Sequence, residues 1–271
     1  MTILVTGATG TVGGQIVRQL NEAGHAVRAL TRDPSKAELP EGVEVVAGDL
    51  TDPDSLKGVF DGVTAAHLIT FGAGYQTLTT GAQIIDMAVE AGVSRVTVLH
   101  GPQDDAFVEA VAASGIDRTM LMPVEFMSNH KEWAGRIIEN GEVREGFPDA
   151  PSALVHEADI AAVAVVALTE DGHAGQTYTI TGPEVLTIRD KVAVLAEALG
   201  RDVTYVELTE EEVLAQLLAE GWDEGSANWM VDIRKNTPEI GYTVVDTVER
   251  VTGKPARTFA QWARENAGLF A

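Results

Sequence analysis

The chain has 271 residues, no cysteine and a formal net charge of −22. The missing thiols exclude disulfides, thiolate nucleophiles and thiolate metal sites, and so acidic a surface excludes nucleic-acid backbone and anionic membrane as partners. Hydrophobic residues make up 45%, the length suits one α/β domain with a smaller appendage, and no run approaches the ~20 apolar residues of a membrane span.

The apolar run from Ile3 to Thr6 reads as a buried strand. It begins so early that no signal peptide fits before it, and the expected location is cytoplasmic. It runs into Gly7-Ala8-Thr9-Gly10-Thr11-Val12-Gly13 and then a helical pattern over Val12 to Ala23. A strand, a glycine turn and a helix start present free amides and a positive helix end to a pyrophosphate. This predicts a dinucleotide site with Gly7, Thr9, Gly10, Thr11, Val12 and Gly13 around the phosphates.

A second strand, Ala26 to Thr31, ends at Arg32, where an NAD-preferring protein would carry an acid for the ribose hydroxyl. A guanidinium there favours the 2′-phosphate of NADP, so NADPH is the expected cofactor. The phosphates must then be held by local positive features, the helix end and Arg32, within a repulsive overall field.

Further strands are predicted at Val43 to Ala47, Ala65 to Ile69, Arg95 to Leu99 and Thr119 to Met122. Helices are predicted at Pro53 to Phe60, Leu78 to Ala91 and Asp104 to Ser114. Gly24, Gly62, Gly92 and Gly115 fall where helices should stop, and Asp52-Pro53 reads as a cap followed by a first-turn proline. This alternation implies a doubly wound parallel sheet. A loop-rich stretch with Trp133 and Phe147 follows, then a helix from Asp159 to Leu168 and a strand from Thr177 to Ile180. Helices near Ile188 to Leu199, Glu210 to Glu220 and Phe259 to Asn266 complete a smaller, mostly helical carboxyl-terminal lobe. The predicted division is a dinucleotide-binding domain over 1–150, with the 159–168 helix and 177–180 strand packed on it, and a substrate lobe over 181–271.

The glycine turn, Thr31-Arg32, Gly48-Asp49-Leu50-Thr51-Asp52, Ser114-Gly115-Ile116, Met122-Pro123-Val124-Glu125-Phe126-Met127-Ser128-Asn129 and Asp159-Ile160-Ala161 together resemble the NmrA-like branch of the atypical short-chain dehydrogenase/reductases. The resemblance covers essentially the whole chain. It implies a Rossmann-type fold in which Asp49 and Leu50 edge the adenine, and Thr70, Phe71, Gly72, Pro123, Val124 and Phe126 line the nicotinamide. On residue chemistry alone Asp49 is equally a turn residue, and Phe126 and Met127 are equally core.

Ordinary short-chain dehydrogenases place a Tyr four residues before a Lys, whose charge lowers the phenol pKa. Here Tyr75, Tyr178, Tyr205 and Tyr242 are followed four positions on by Thr79, Gly182, Thr209 and Asp246, and Asp105 stands at the expected Lys position. Hydride transfer still needs only a held nicotinamide and an electrophilic carbon. The resemblance implies the same, since its quinone and dye reductases lack that tyrosine; it also includes regulators that bind the cofactor without catalysis.

His100, at the carboxyl end of its strand, is the candidate substitute acid, or else caps the Gly101-Pro102 turn. His130 and Ser128 are further candidates for the same cleft. Glu109 fits a solvated helix face. His156, Glu157 and Asp159 fit a helix start better than a metal site, and no metal is expected. Trp222 and Trp229 either lid a planar ligand or pack the lobe.

The sequence thus supports an NADPH-dependent reductase acting on a small planar carbonyl or quinone-type acceptor. Its alternative is a non-catalytic NADP-binding regulator acting through a protein partner. The partner set is a small-molecule acceptor and at most a second copy in a homodimer, with no nucleic acid and no membrane.

Overall fold

The computed structural model describes residues 1–72, 77–100 and 105–271, Asp105 in its backbone only. In chain order the first elements are β1 (Thr2–Val5), α1 (Gly13–Glu22), β2 (Ala26–Thr31), β3 (Glu44–Ala47), β4 (Val63–Ile69), α2 (Gly81–Glu90), β5 (Arg95–Leu99), α3 (Asp105–Ala113) and β6 (Asp117–Pro123). Then come α4 (Ala134–Asn140), β7 (Glu142–Glu145), α5 (Glu157–Thr169), β8 (Thr177–Ile180), α6 (Ile188–Leu199) and β9 (Thr204–Glu207). The remaining helices are α7 (Glu210–Ala219), α8 (Glu224–Lys235), α9 (Glu239–Tyr242), α10 (Thr247–Thr252) and α11 (Phe259–Glu265).

Among the described residues, seven strands make one sheet in the order β3-β2-β1-β4-β5-β6-β8. The pairings from β3 across to β6 are parallel. The chain order reverses between β1 and β4, the switch point outside whose carboxyl ends open α/β sheets bind ligands. The expected doubly wound sheet is therefore present.

Two compact units divide the chain. The first holds residues 1–122 and 157–179, the second 123–156 and 180–271. In the first, successive β1 side chains take opposite faces of the sheet. Leu4 enters a cluster with Ile84, Ile85, Phe107 and Val111 of α2 and α3, whereas α1 packs on α5. Helix α1 buries Ile16, Val17 and Leu20, one stripe at helical spacing. Helix α5 is apolar almost all round and buries most of its residues, as a helix enclosed on several sides must. Gln19 of α1 donates from Nε2 to the carbonyl of Ala158 at 2.9 Å.

The predicted helix over Pro53 to Phe60 is a single 3-10 turn, Pro53–Leu56. The start signal is real, since the Asp52 carboxylate accepts the Asp54 amide, but Gly58 turns the chain at φ +78 and ends it early.

The second unit begins with the 3-10 segment Met127–Trp133 and α4. Met127, Trp133 and Ile137 join Val192 and Leu195 of α6 and Phe259 and Trp262 of α11 in one core. Residues 123–150 therefore group with this unit. Strands β7 and β9 pair in parallel as a separate two-stranded sheet. Helices α7 and α8 form a smaller cluster around Leu208, Val213, Leu217, Ala227 and Val231. Helices α6 and α7 both begin with capping boxes, Thr187 with Asp190 and Thr209 with Glu212.

Candidate functional site

The glycine turn hangs from the end of β1. The Thr6 hydroxyl donates to the carbonyl of His67 and accepts the Ile69 amide, both at 3.0 Å, which pins the turn's root to β4. Gly7 adopts φ +60, the left-handed region that side chains rarely enter. The Gly10 amide closes the turn on Gly7 O at 2.8 Å, and the Gly14 amide reaches Gly10 O at 2.9 Å. A Cβ on Gly13 would lie 2.1 Å from Gly7 O, so only glycine lets α1 start this close to the turn.

Val12, at the cap of α1, supplies no side-chain acceptor, and no acid stands in the first turn. The positive helix end is thus unneutralised, with Thr9, Gly10 and Thr11 exposed beside it. These residues fit a pyrophosphate, because the glycines leave the backbone open to close approach beside a helix end whose partial charge nothing neutralises.

Arg32 follows β2 and is exposed, and among the described residues it makes no ion pair within 4 Å. Its neighbour Asp33 is already engaged. The Asp33 carboxylate accepts the Ser35 amide at 3.1 Å and the Ser35 hydroxyl at 2.6 Å, and pairs with Lys36 at 3.2 Å. The acid of this loop therefore serves its own turn, and the free charge beside it is cationic.

Asp49 is a turn residue. Its Oδ1 accepts the Thr51 amide at 2.8 Å and the Thr51 hydroxyl at 2.7 Å, which holds the carboxyl below its usual range, with the charge of Arg32 adding to the effect. Leu50 is buried in the core of the first unit.

Thr70 is fully buried just beyond β4, and its carbonyl accepts the Leu78 amide. Phe71 bridges to Thr77, and Gly72 is the last described residue before 77. His100 follows β5 and donates its amide to Leu121 O at 3.1 Å. Its Gly101-Pro102 turn lies outside the described residues, as does Tyr75. Glu109 is exposed.

One polar group in this unit escaped the sequence reading. His67 sits in the middle of β4, fully buried, with Nδ1 2.9 Å from the Thr97 hydroxyl and Nε2 without a partner among the described residues. Burial lowers its pKa to about 3, so the imidazole is neutral.

In the second unit, the Val124 amide bonds Ile180 O, and Phe126 bridges to Val155. Met127 is core, as one of its two readings had it. Between them Glu125 takes part in a charged cluster that the sequence did not announce. Lys191 of α6 is 1% exposed, and its Nζ meets Glu125 Oε2 at 2.7 Å. Burial works to raise the Glu125 pKa, but the Lys191 charge overcomes it and holds the carboxylate at about 2. The other oxygen, Oε1, stands 3.7 Å from Nε2 of buried His130.

Tyr205 donates to Glu145 O at 2.8 Å, and burial pushes its phenol up to about 12, the opposite of an activated acid. His156 meets Glu265 at 3.1 Å. No group of three or more possible metal ligands occurs among the described residues, nor is any described helix long and apolar enough to cross a membrane. Trp222 and Trp229 are 39% and 51% exposed.

Residues 1–99 match the model of the NmrA-like family. The chain is 36% identical to a (4-alkanoyl-5-oxo-2,5-dihydrofuran-3-yl)methyl phosphate reductase of Streptomyces griseus, over 99% of both chains. It is likewise 36% identical to an NAD(P)H azoreductase of Xenophilus azovorans, again over 99% of both. Among solved structures, an NADPH-dependent quinone oxidoreductase of Escherichia coli in complex with NADPH superposes with a TM-score of 0.81 at 27% identity, covering 97% of this chain and 99% of the other.

Proposed function

The chain belongs to the NmrA-like family, and from that membership we propose an NADPH-dependent oxidoreductase that passes hydride to a small planar carbonyl or quinone-type acceptor. The reductase activity of its full-length relatives supports the first half. The glycine turn, with its close-packed Gly13 and uncapped positive helix end, is the observation that carries the cofactor assignment.

In this reading Gly7, Thr9, Gly10, Thr11, Val12 and Gly13 hold the pyrophosphate, and Arg32 meets the 2′-phosphate through charge-assisted hydrogen bonds. Asp33, spent on Ser35 and Lys36, does not compete for the ribose. Asp49 and Leu50 edge the adenine by backbone and apolar contact. Thr70, Phe71 and Gly72, with Pro123, Val124 and Phe126, orient the nicotinamide and exclude water. When bound, the reduced nicotinamide supplies the hydride.

The proton comes from His100 or from solvent. No activated phenol is in evidence at Tyr205, which is shifted away from donation near neutral pH, and no lysine follows any tyrosine at the required spacing. A quinone, whose reduced oxygen is a stabilised phenolate, tolerates this lack.

The test is consumption of NADPH and of NADH against quinones, azo dyes and aromatic ketones. Turnover with NADPH preferred supports the assignment; tight NADPH binding without turnover of any acceptor overturns it in favour of a regulator.

A further inference from the structure

Beyond β6 the chain bends at Glu125 and then bridges Phe126 to Val155. Backbone hydrogen bonds flank the bend. Before it, the Val124 amide donates to Ile180 O at 3.1 Å. After it, the Val155 amide donates to Glu125 O at 2.8 Å and the Met127 amide to Val155 O at 2.9 Å. These bonds set the course of the chain on either side, so the angle between the two courses depends on what holds Glu125 itself.

The Glu125 side chain is held from α6. Lys191 Nζ donates to Oε2 at 2.7 Å, and among the described residues Glu125 is the one carboxylate that Lys191 pairs with. The Ser152 hydroxyl hydrogen-bonds the same carboxylate, and the Ser152 backbone exchanges two hydrogen bonds with Leu186, just ahead of the α6 cap at Thr187. His130 adds no charge, because burial lowers its pKa to about 4. Lys191 is 1% exposed, and an ammonium so enclosed cannot give up its counter-charge without being stranded. The bend and α6 therefore move as one piece.

We propose that the Glu125–Lys191 pair is a positioning device: it fixes the bend that presents Val124 and Phe126 to the nicotinamide, and so sets which face of that ring gives up its hydride. This rests on the reductase reading above and adds two positioning residues to it. Val124 and Phe126, on either side of Glu125, are only half-buried and keep surface for a ring, whereas Met127 is core. In that reading the phosphates are gripped through charge, but the neutral nicotinamide is oriented by packing alone. An error in the bend then costs orientation and not affinity.

The experiment uses the full chain and two variants, Lys191→Met and the double change Glu125→Gln with Lys191→Met, which leaves no buried charge behind. Hydrogen exchange, which needs no turnover, reads the bend. The Val155 and Met127 amides should exchange about tenfold or more faster in both variants. The Trp262 amide, bonded to Thr258 O at 3.1 Å in the same unit, should keep its rate. Unchanged exchange at Val155 and Met127, or an equal acceleration at Trp262, overturns the device.

The second readout is the face of the ring. With NADPH deuterated at C4 on one face or the other and a quinone acceptor, wild-type protein should take its hydride from a single face, read as the deuterium left in the NADP⁺. Both variants should draw on both faces, with kcat about 10- to 100-fold lower and NADPH affinity unchanged. Single-face transfer at wild-type kcat, in variants whose bend exchanges faster, overturns the positioning role. If wild-type protein turns over no acceptor, the reductase reading falls, and the exchange rates still decide whether the pair holds the bend.

Discussion

Gly13 stands over the carbonyl of Gly7 so closely that a methyl group on it would lie 2.1 Å from the oxygen. The first turn of α1 and the left-handed bend of the glycine loop are therefore one rigid object, and neither can shift without the other.

Gly13→Ala should cost about 1–3 kcal/mol from backbone overpacking and lower the melting temperature by roughly 2–4 °C for each of them. It should also weaken NADPH about tenfold or more, because the amides leave their alignment. A thermal scan with a calorimetric titration checks both. A destabilised protein that still binds NADPH with wild-type affinity would detach the turn from the cofactor.

Arg32→Ala should weaken NADPH by about 10- to 100-fold, the range of a hydrogen bond between charged groups, and leave NADH nearly unaffected. Equal losses for both cofactors would remove the 2′-phosphate assignment. In that variant Asp33 is not expected to take up the ribose and strengthen NADH, because Ser35 holds its carboxylate.

His67 gives the fold a pH slope of known sign. Its pKa falls from 6.5 to about 3 on burial, so between those values the unfolded chain binds a proton that the folded chain refuses. Stability is then full above the unfolded value and declines as pH drops below it. His67→Gln should flatten that decline by about 1.4 kcal/mol per pH unit, one proton's worth. Urea midpoints across the acid range measure it, and an unchanged slope would mean that His67 titrates normally.

The Glu125–Lys191 pair is asymmetric, with the amine enclosed and the carboxylate partly in solvent. Glu125→Gln strands a buried charge and should cost about 3 kcal/mol or more. Lys191→Met leaves a carboxylate that water can reach and should cost less. Denaturant titration of both variants orders them, and the reverse order would contradict the burial.

If His100 delivers the proton, His100→Ala lowers kcat by about 100-fold and removes the basic limb from its pH profile. An unaltered profile assigns the proton to solvent.

The sheet was legible because its strands are short apolar runs and a glycine stands within three residues before each of β2 to β6, at Gly24, Gly42, Gly62, Gly92 and Gly115. Helix α6 was legible for the same reason, with Ile188, Val192, Leu195 and Leu199 on one stripe. Helix α8 was not: Gly225 sits in its first turn and only Ala227 and Val231 are buried, too few to set a period. Strands β7 and β9 were hidden by glutamates at their ends and four-residue lengths.

At the candidate site, the glycine turn and Arg32 could be read because the chemistry is local to a few consecutive residues. The Glu125–Lys191–His130 cluster draws on residues 66 positions apart. Its one trace in the sequence is Lys191 itself, a charge on the apolar stripe of α6 where no charge belongs without a partner.

The division of the chain has a consequence for how the protein is made. The first unit is not finished when residue 122 leaves the ribosome, because α5 and β8 arrive only after the first stretch of the second unit. Until then α1 has no α5 to cover Ile16, Val17 and Leu20, and the nascent sheet shows an apolar face to any chaperone in reach. Neither unit can be cut out as a continuous piece of gene, so a dissection of the molecule has to splice, permute or co-express its parts.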